Sequence, residues 1–168
     1  MSSFPSSQTL LLDDINLNEL IIFFSKFKLT LTFTDLGQPI PGSFWGDQEA
    51  GLITNQIYVR LDTPVHSALH ESCHFICMDQ QRRLALNTNA GGTTDEENAV
   101  CYLQILLSDH LSFIDRKKMM QDMDTWGYSF RLGSTEAWFK SDAEDARLWL
   151  LKHKIITEDN EVTFNLRT

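Results

Sequence analysis

Residues 63–81 read TPVHSALHESCHFICMDQQ, and the rest of the chain is best read outward from this stretch. Thr63 is a good helix cap, and Pro64 suits a first helical position, where its missing N–H and fixed φ cost little. The spacing predicts a helix from Pro64 to about Gln81. On its wheel Val65, Leu69, Cys73, Phe75, Ile76, Cys77 and Met78 cover most of the circumference, leaving a narrow polar wedge near Ser72 and Asp79. Such a helix belongs in the core. It carries His70-Glu71-Ser72-Cys73-His74, an H-E-x-x-H pattern. Four helical residues turn about 400°, so the two imidazoles stand about 40° apart on one face and can share a metal ion. Buried histidines beside a glutamate need a partner, and imidazole and carboxylate donors suit zinc. In this pattern Glu71 is no ligand but a base, able to take a proton from a metal-activated water.

Zinc needs a third protein ligand. Residues 93–107, TTDEENAVCYLQILL, predict a second helix with two adjacent glutamates in its first turn. Glu96 shares a face with Ala99, Val100, Leu103 and Leu107, the stripe that faces the core. Glu97 stands above Cys101, Gln104 and Ser108, a more polar face, and with Thr94 it has capping-box spacing. Glu96 is therefore the expected ligand and Glu97 the alternative.

Upstream, Asn16 caps a short helix through Leu17, Leu20, Ile21 and Phe24. Phe27 to Phe33 alternates apolar and polar residues and predicts a half-buried strand. A second strand is expected at Ser43 to Trp45. A third covers Ile53 to Leu61, with a bulge near Asn55 where the alternation slips. Residues 1–9 read as a loose tail. Downstream, helices are expected at Asp115 to Asp124 and after a Ser141–Glu144 capping box. The irregular segment WGYSFRLG lies between them, and a closing strand follows at Val162 to Leu166. Strands early and helices late make this an α+β chain: a small N-terminal, mostly antiparallel sheet packed on the buried helix, with a helical C-terminal part.

The 168 residues, 42% apolar and 22% charged, match one ordinary globular domain. The net charge of −9 repels phosphate backbones and argues against nucleic-acid binding. No apolar run is long enough for a bilayer, and the N-terminus has no basic residue ahead of its leucines, unlike a secretory signal. Cys73, Cys77 and Cys101 are too few for a disulfide framework and read as core thiols. A cytoplasmic protein is expected.

His70-Glu71-x-x-His74, followed by a helix-borne glutamate, resembles the gluzincin metallopeptidases. The segment Glu96-x-x-Ala99-x-x-Tyr102-Leu103-x-x-Leu106-Leu107 is also similar to the glutamate helix of the bacterial ImmA/IrrE peptidases, although Ser108-Asp109 stands where those carry Met-Pro. The resemblance covers about residues 64–107. It implies a zincin-like fold, whose sheet edge holds an extended peptide or protein substrate above the active-site helix.

That chemistry also wants a donor for the developing oxyanion. Tyr128, Arg131 and His110 are the candidates, with Tyr128 preferred because its irregular segment can reach back over a cleft. His66, one turn before His70, is expected at an exposed first turn. Two functions remain open. One is a zinc metallopeptidase with Glu71 as base. The other is a non-catalytic zinc-bound module that binds peptides or regulates a partner, in which Glu71 has no task.

Overall fold

The computed structural model describes residues 8–43, 47–86 and 91–168. Phe44 and Trp45 of the strand expected at Ser43 to Trp45, most of the N-terminal tail and part of the loop before Thr93 lie outside these residues. Among those described, the chain forms seven α-helices and a three-stranded sheet, so the α+β class is as expected. Helix α1 (Leu17–Ser25) begins at Asn16, whose side chain accepts from the Glu19 N–H at 3.3 Å. Its final turn runs through Phe27, so the strand expected from Phe27 starts later, as β1 (Thr30–Phe33).

The sheet corrects the sequence reading twice. What read as one bulged strand is a hairpin, β2 (Gly51–Ile53) and β3 (Gln56–Val59), turning at Thr54-Asn55, where Thr54 takes φ 50°. The slip in alternation is therefore a turn. The strand order is β1-β3-β2, with β2 antiparallel and β1 parallel to β3. The sheet is thus mixed rather than mostly antiparallel. The long connection from β1 to β2 lets the hairpin's second strand insert in the middle. That central place explains why Ile57 and Val59 are wholly buried, while Phe33 on the edge is exposed.

Helix α2 (Val65–Cys77) packs against β2, β3, α4 and α5, and eleven of its 13 residues are buried. Fully buried side chains such as Leu69 and Ile76 each contribute roughly 1.5–3 kcal/mol through burial. Pro64 rather than Thr63 is the cap residue. It offers no side-chain acceptor, and the Val65 N–H is met instead by the Leu10 carbonyl at 2.9 Å. The helix stops four residues before the predicted Gln81. Asp79 accepts from the Arg82 N–H at 2.9 Å, and this competing cap starts a new helix, α3 (Gln80–Ala85).

Helix α4 (Thr94–Leu107) is capped by Thr93 through the Glu96 N–H, one residue earlier than the Thr94–Glu97 box predicted. Helix α5 (Arg116–Trp126) starts at the Asp115 cap and ends on Gly127 at φ 106°, a left-handed stop that suits glycine. A short α6 (Thr135–Ser141), not anticipated, follows the Ser134 cap. It ends at Ser141, so the predicted capping box is not made, and α7 (Glu144–Lys152) starts from Ala143. The closing strand reduces to a single bridge, Ile156 to Val162. No described helix is long and apolar enough to cross a membrane.

The segment at Leu10–Leu12, which supports the start of α2, is held by a buried ion pair on α5. Lys118 Nζ donates to Asp122 Oδ1 at 2.8 Å and to the Gln8 carbonyl, and Asp122 Oδ2 accepts from the Leu10 N–H at 3.0 Å. Asp122→Ala leaves a buried ammonium and a backbone N–H without this acceptor. It should cost about 3–5 kcal/mol in urea unfolding, while Lys118→Met with Asp122→Leu should recover much of that loss. A loss under 1 kcal/mol for Asp122→Ala would show that the pair does not hold the segment.

Candidate metal centre

His70 and His74 project from the same face of α2, and α4 brings a carboxylate to them. The Nε2 atoms of the two histidines are 3.1 Å apart, and Glu97 Oε2 is 3.5 Å from His74 Nε2. All three ligand atoms lie within 4.8 Å of one another. Bonds of about 2.0–2.1 Å in a tetrahedral site put neighbouring ligands about 3.3–3.4 Å apart. The residues present thus fit a metal ion.

The tautomer fits as well. Gln104 Nε2 donates to the His66 carbonyl at 3.0 Å, which turns the amide oxygen toward His70 Nδ1 at 2.8 Å. An amide oxygen only accepts, so His70 carries its proton on Nδ1 and presents a bare Nε2 to the site. His74 Nδ1 is buried and has no partner among the described residues. Burial lowers both imidazoles from their ordinary pKa, His74 further than His70, so both are neutral ligands at neutral pH.

Glu97, the alternative in the sequence reading, is the acid that meets the histidines. Glu96 does face the core, as its wheel position predicts, and is 3% exposed. The core at that point presents Arg82, whose Nη1 donates to both Glu96 oxygens at 2.9 Å. Glu96 is therefore an ion-pair partner. Glu97 stands on the polar stripe it shares with Cys101, Gln104 and Ser108, and Gln104 and Ser108 are both wholly buried. A buried polar stripe on an apolar helix was the sequence signal for both Glu97 and Gln104. The capping-box spacing concealed it.

Glu71 lies next to His70, and its pKa is pushed up to about 8 by burial, then by the charges of Glu97 and Glu49. Glu49 accepts from Trp126 Nε1 at 2.9 Å, and the neighbouring Ala50 N–H donates to Ser67 Oγ, one turn before Glu71 on α2. Tyr128 reaches the centre. Its ring meets His70 edge-on at 5.5 Å, and its hydroxyl lies 3.3 Å from His66 Nδ1. Arg131 is exposed and paired with Asp142, and His110 packs on Phe23 and Phe164, so neither joins the centre. The three cysteines are buried free thiols with raised pKa values, outside the ligand group.

No protein-family model, curated protein or solved structure matches this chain. The functional reading therefore rests on the centre's own geometry.

The expectation of an exposed His66 is overturned. It is 1% exposed, packed on Trp126, and burial followed by the nearby His70 lowers its pKa from 6.5 to about 3. Between those values the unfolded chain holds a proton that the folded chain does not. Stability then falls as pH falls through the window, by up to about 1.4 kcal/mol per pH unit for one site. His70 and His74 act in the same direction, while Glu71, whose pKa rises from 4.5 to about 8, acts oppositely across that range. Urea unfolding of metal-free protein from pH 6.5 to 4.5 should show a shallower pH dependence for His66→Gln than for wild type. Equal slopes would mean His66 is not held neutral. In a separate test, Gln104→Leu removes the acceptor that fixes His70, and zinc affinity should fall about 10–100-fold. Unchanged affinity would remove Gln104 from the centre.

Proposed function

We propose that this chain is a small zinc-dependent metallopeptidase of zincin-like design, acting in the cytoplasm on peptide or protein substrates. The observation that carries the reading is the convergence of His70, His74 and Glu97 ligand atoms within 4.8 Å, where α4 brings Glu97 to the two histidines of the helix that also bears Glu71. Two imidazoles and a carboxylate suit zinc among common divalent ions. Zinc bound there supplies a Lewis acid that polarises a carbonyl and acidifies water. Glu71 accepts the proton from the attacking water and then delivers it to the leaving amine nitrogen. Burial and the nearby acids raise the Glu71 carboxyl without an ion, and the positive charge of a bound zinc would lower it again toward the ionised form a base needs. We assign oxyanion donation to Tyr128, whose ring already abuts His70. Free thiols at all three cysteines suit a reducing compartment.

One observation favours the second reading. The Tyr128 hydroxyl lies 3.3 Å from His66 Nδ1, so it is already engaged within the protein. Under that reading zinc ties α2 to α4 in a peptide-binding or regulatory module, and Glu71 is idle.

Glu71→Gln separates the two. It keeps shape and hydrogen-bonding reach but removes the basic oxygen. Under the peptidase reading zinc content survives while turnover falls by about a hundredfold or more. A proteome-derived peptide mixture, read by mass spectrometry, should show new termini with wild type that vanish with Glu71→Gln. Identical termini from both proteins would reject the peptidase.

A further inference from the structure

Two adjacent glutamates, Glu96 and Glu97, stand in the first turn of α4, and a rotation of about 100° about the helix axis exchanges their directions. The Thr93 cap and the buried stripe of α4 set the phase of that turn, and a contact from outside α4 is needed to hold each carboxylate in its direction. We infer that Arg82, Glu96 and Gly92 form a positioning clamp that selects Glu97 as the metal ligand and sets its distance from His74; the inference rests on the metal-centre reading above.

The clamp is traceable bond by bond. His74 lies in the last turn of α2, and the Met78 N–H returns to its carbonyl at 3.0 Å. Asp79 then caps α3 and fixes Arg82, one turn on, through the Arg82 N–H at 2.9 Å. Arg82 Nη1 holds both oxygens of Glu96 at 2.9 Å, and its Nη2 donates to the Gly91 carbonyl at 3.3 Å. Arg167 approaches the same carboxylate at 3.8 Å. The chain that bears His74 thus grips the residue next to Glu97 through a short run of bonds.

Gly92 completes the grip. A Cβ on this residue would fall 1.5 Å from Glu96 Oε2 and 2.5 Å from its Cδ, so only glycine leaves room for the clamped carboxylate. Gly92 therefore seats the clamped acid by lacking a side chain.

Charge and position make opposite forecasts for Arg82. Its guanidinium lies near both His74 and Glu97 and, acting only as a charge, opposes a bound cation. Removing it would then tighten zinc binding. As a clamp, its loss leaves the buried Glu96 carboxylate without its partner and loosens the first turn that carries Glu97, so zinc binding weakens. The experiment is zinc titration against a chromophoric chelator for the full-length chain and three variants, with thermal unfolding of each metal-free protein alongside. Arg82→Ala should bind zinc about tenfold or more weakly. Arg82→Lys, which keeps the charge but loses the nitrogen that reaches Gly91, should fall between Arg82→Ala and wild type. Gly92→Ala changes no charge and sits in an exposed loop, so it should fold, yet also bind about tenfold more weakly. Wild-type affinity in Gly92→Ala, or zinc binding tightened by Arg82→Ala, would overturn the clamp even where the metal-free unfolding temperature drops. A wild-type chain that takes up no zinc would overturn the metal reading and the clamp together.

Discussion

Helix α2 places three imidazoles and a carboxyl group in surroundings that disfavour every charged form. Much of the remaining structure answers that desolvation. The amide of Gln104 meets two of its demands at once, accepting from His70 and donating to the His66 carbonyl. One side chain on α4 therefore fixes a ring orientation, a tautomer and the register between two helices. Tyr128 and Trp126 close on His66 with their ring edges and faces, which removes water without supplying charge. The result is a wall of neutral groups around the two Nε2 atoms. In a low-dielectric setting of this kind, a single cation between those nitrogens and Glu97 interacts strongly with all of them.

The acids around this wall differ in how their charges are met. Glu96 is sealed from solvent and matched by Arg82. Glu97 is partly exposed and is raised by burial and by the charge of Glu96, with Gly92 and Arg82 acting the other way. Glu71 has only acids acting on it, which is why its pKa rises so far. A bound divalent ion reverses this balance, and the carboxyl groups nearest the histidines gain most from it. The matched pair at Glu96 and Arg82 gains little. Two neighbouring glutamates thus hold different positions in one electrostatic scheme, because one was neutralised when the chain folded and the other was not.

The ends of α2 are held by segments far away in sequence. Its first N–H groups lack a side-chain cap and lean on the segment at Leu10, which the buried Lys118–Asp122 pair anchors to α5. Its last turn is met by the C-terminal residues: the Arg167 N–H donates to the Ile76 carbonyl and its Nη1 to that of Cys77. Arg83, reaching the Phe75 and Met78 carbonyls and the Arg167 carbonyl, locks these together. The helix that carries the centre is thereby tied to both ends of the described chain.

Much of this was legible in the residues alone, because it depends on local periodicity. The apolar wheel of residues 65–78 dictated a buried helix, and the four-residue step between His70 and His74 dictated a shared face. The caps at Asn16 and Asp115 and the glycine stop at Gly127 are likewise short-range chemistry, and they appear where the side chains demand. What the sequence could not decide was every contest settled by a partner distant in the chain. Residues 79–81 continue a helical pattern, but the carbonyls at the end of α2 are taken by the distant Arg167, which leaves the chain free to restart at the Asp79 cap. The alternation around Asn55 is compatible with a bulge or a turn, and the pairing of β3 with both β1 and β2 made it a turn. Glu96 and Glu97 are one residue apart and chemically identical. The wheel correctly sent Glu96 inward, yet only the tertiary structure put Arg82 there to neutralise it, leaving Glu97 to meet the histidines.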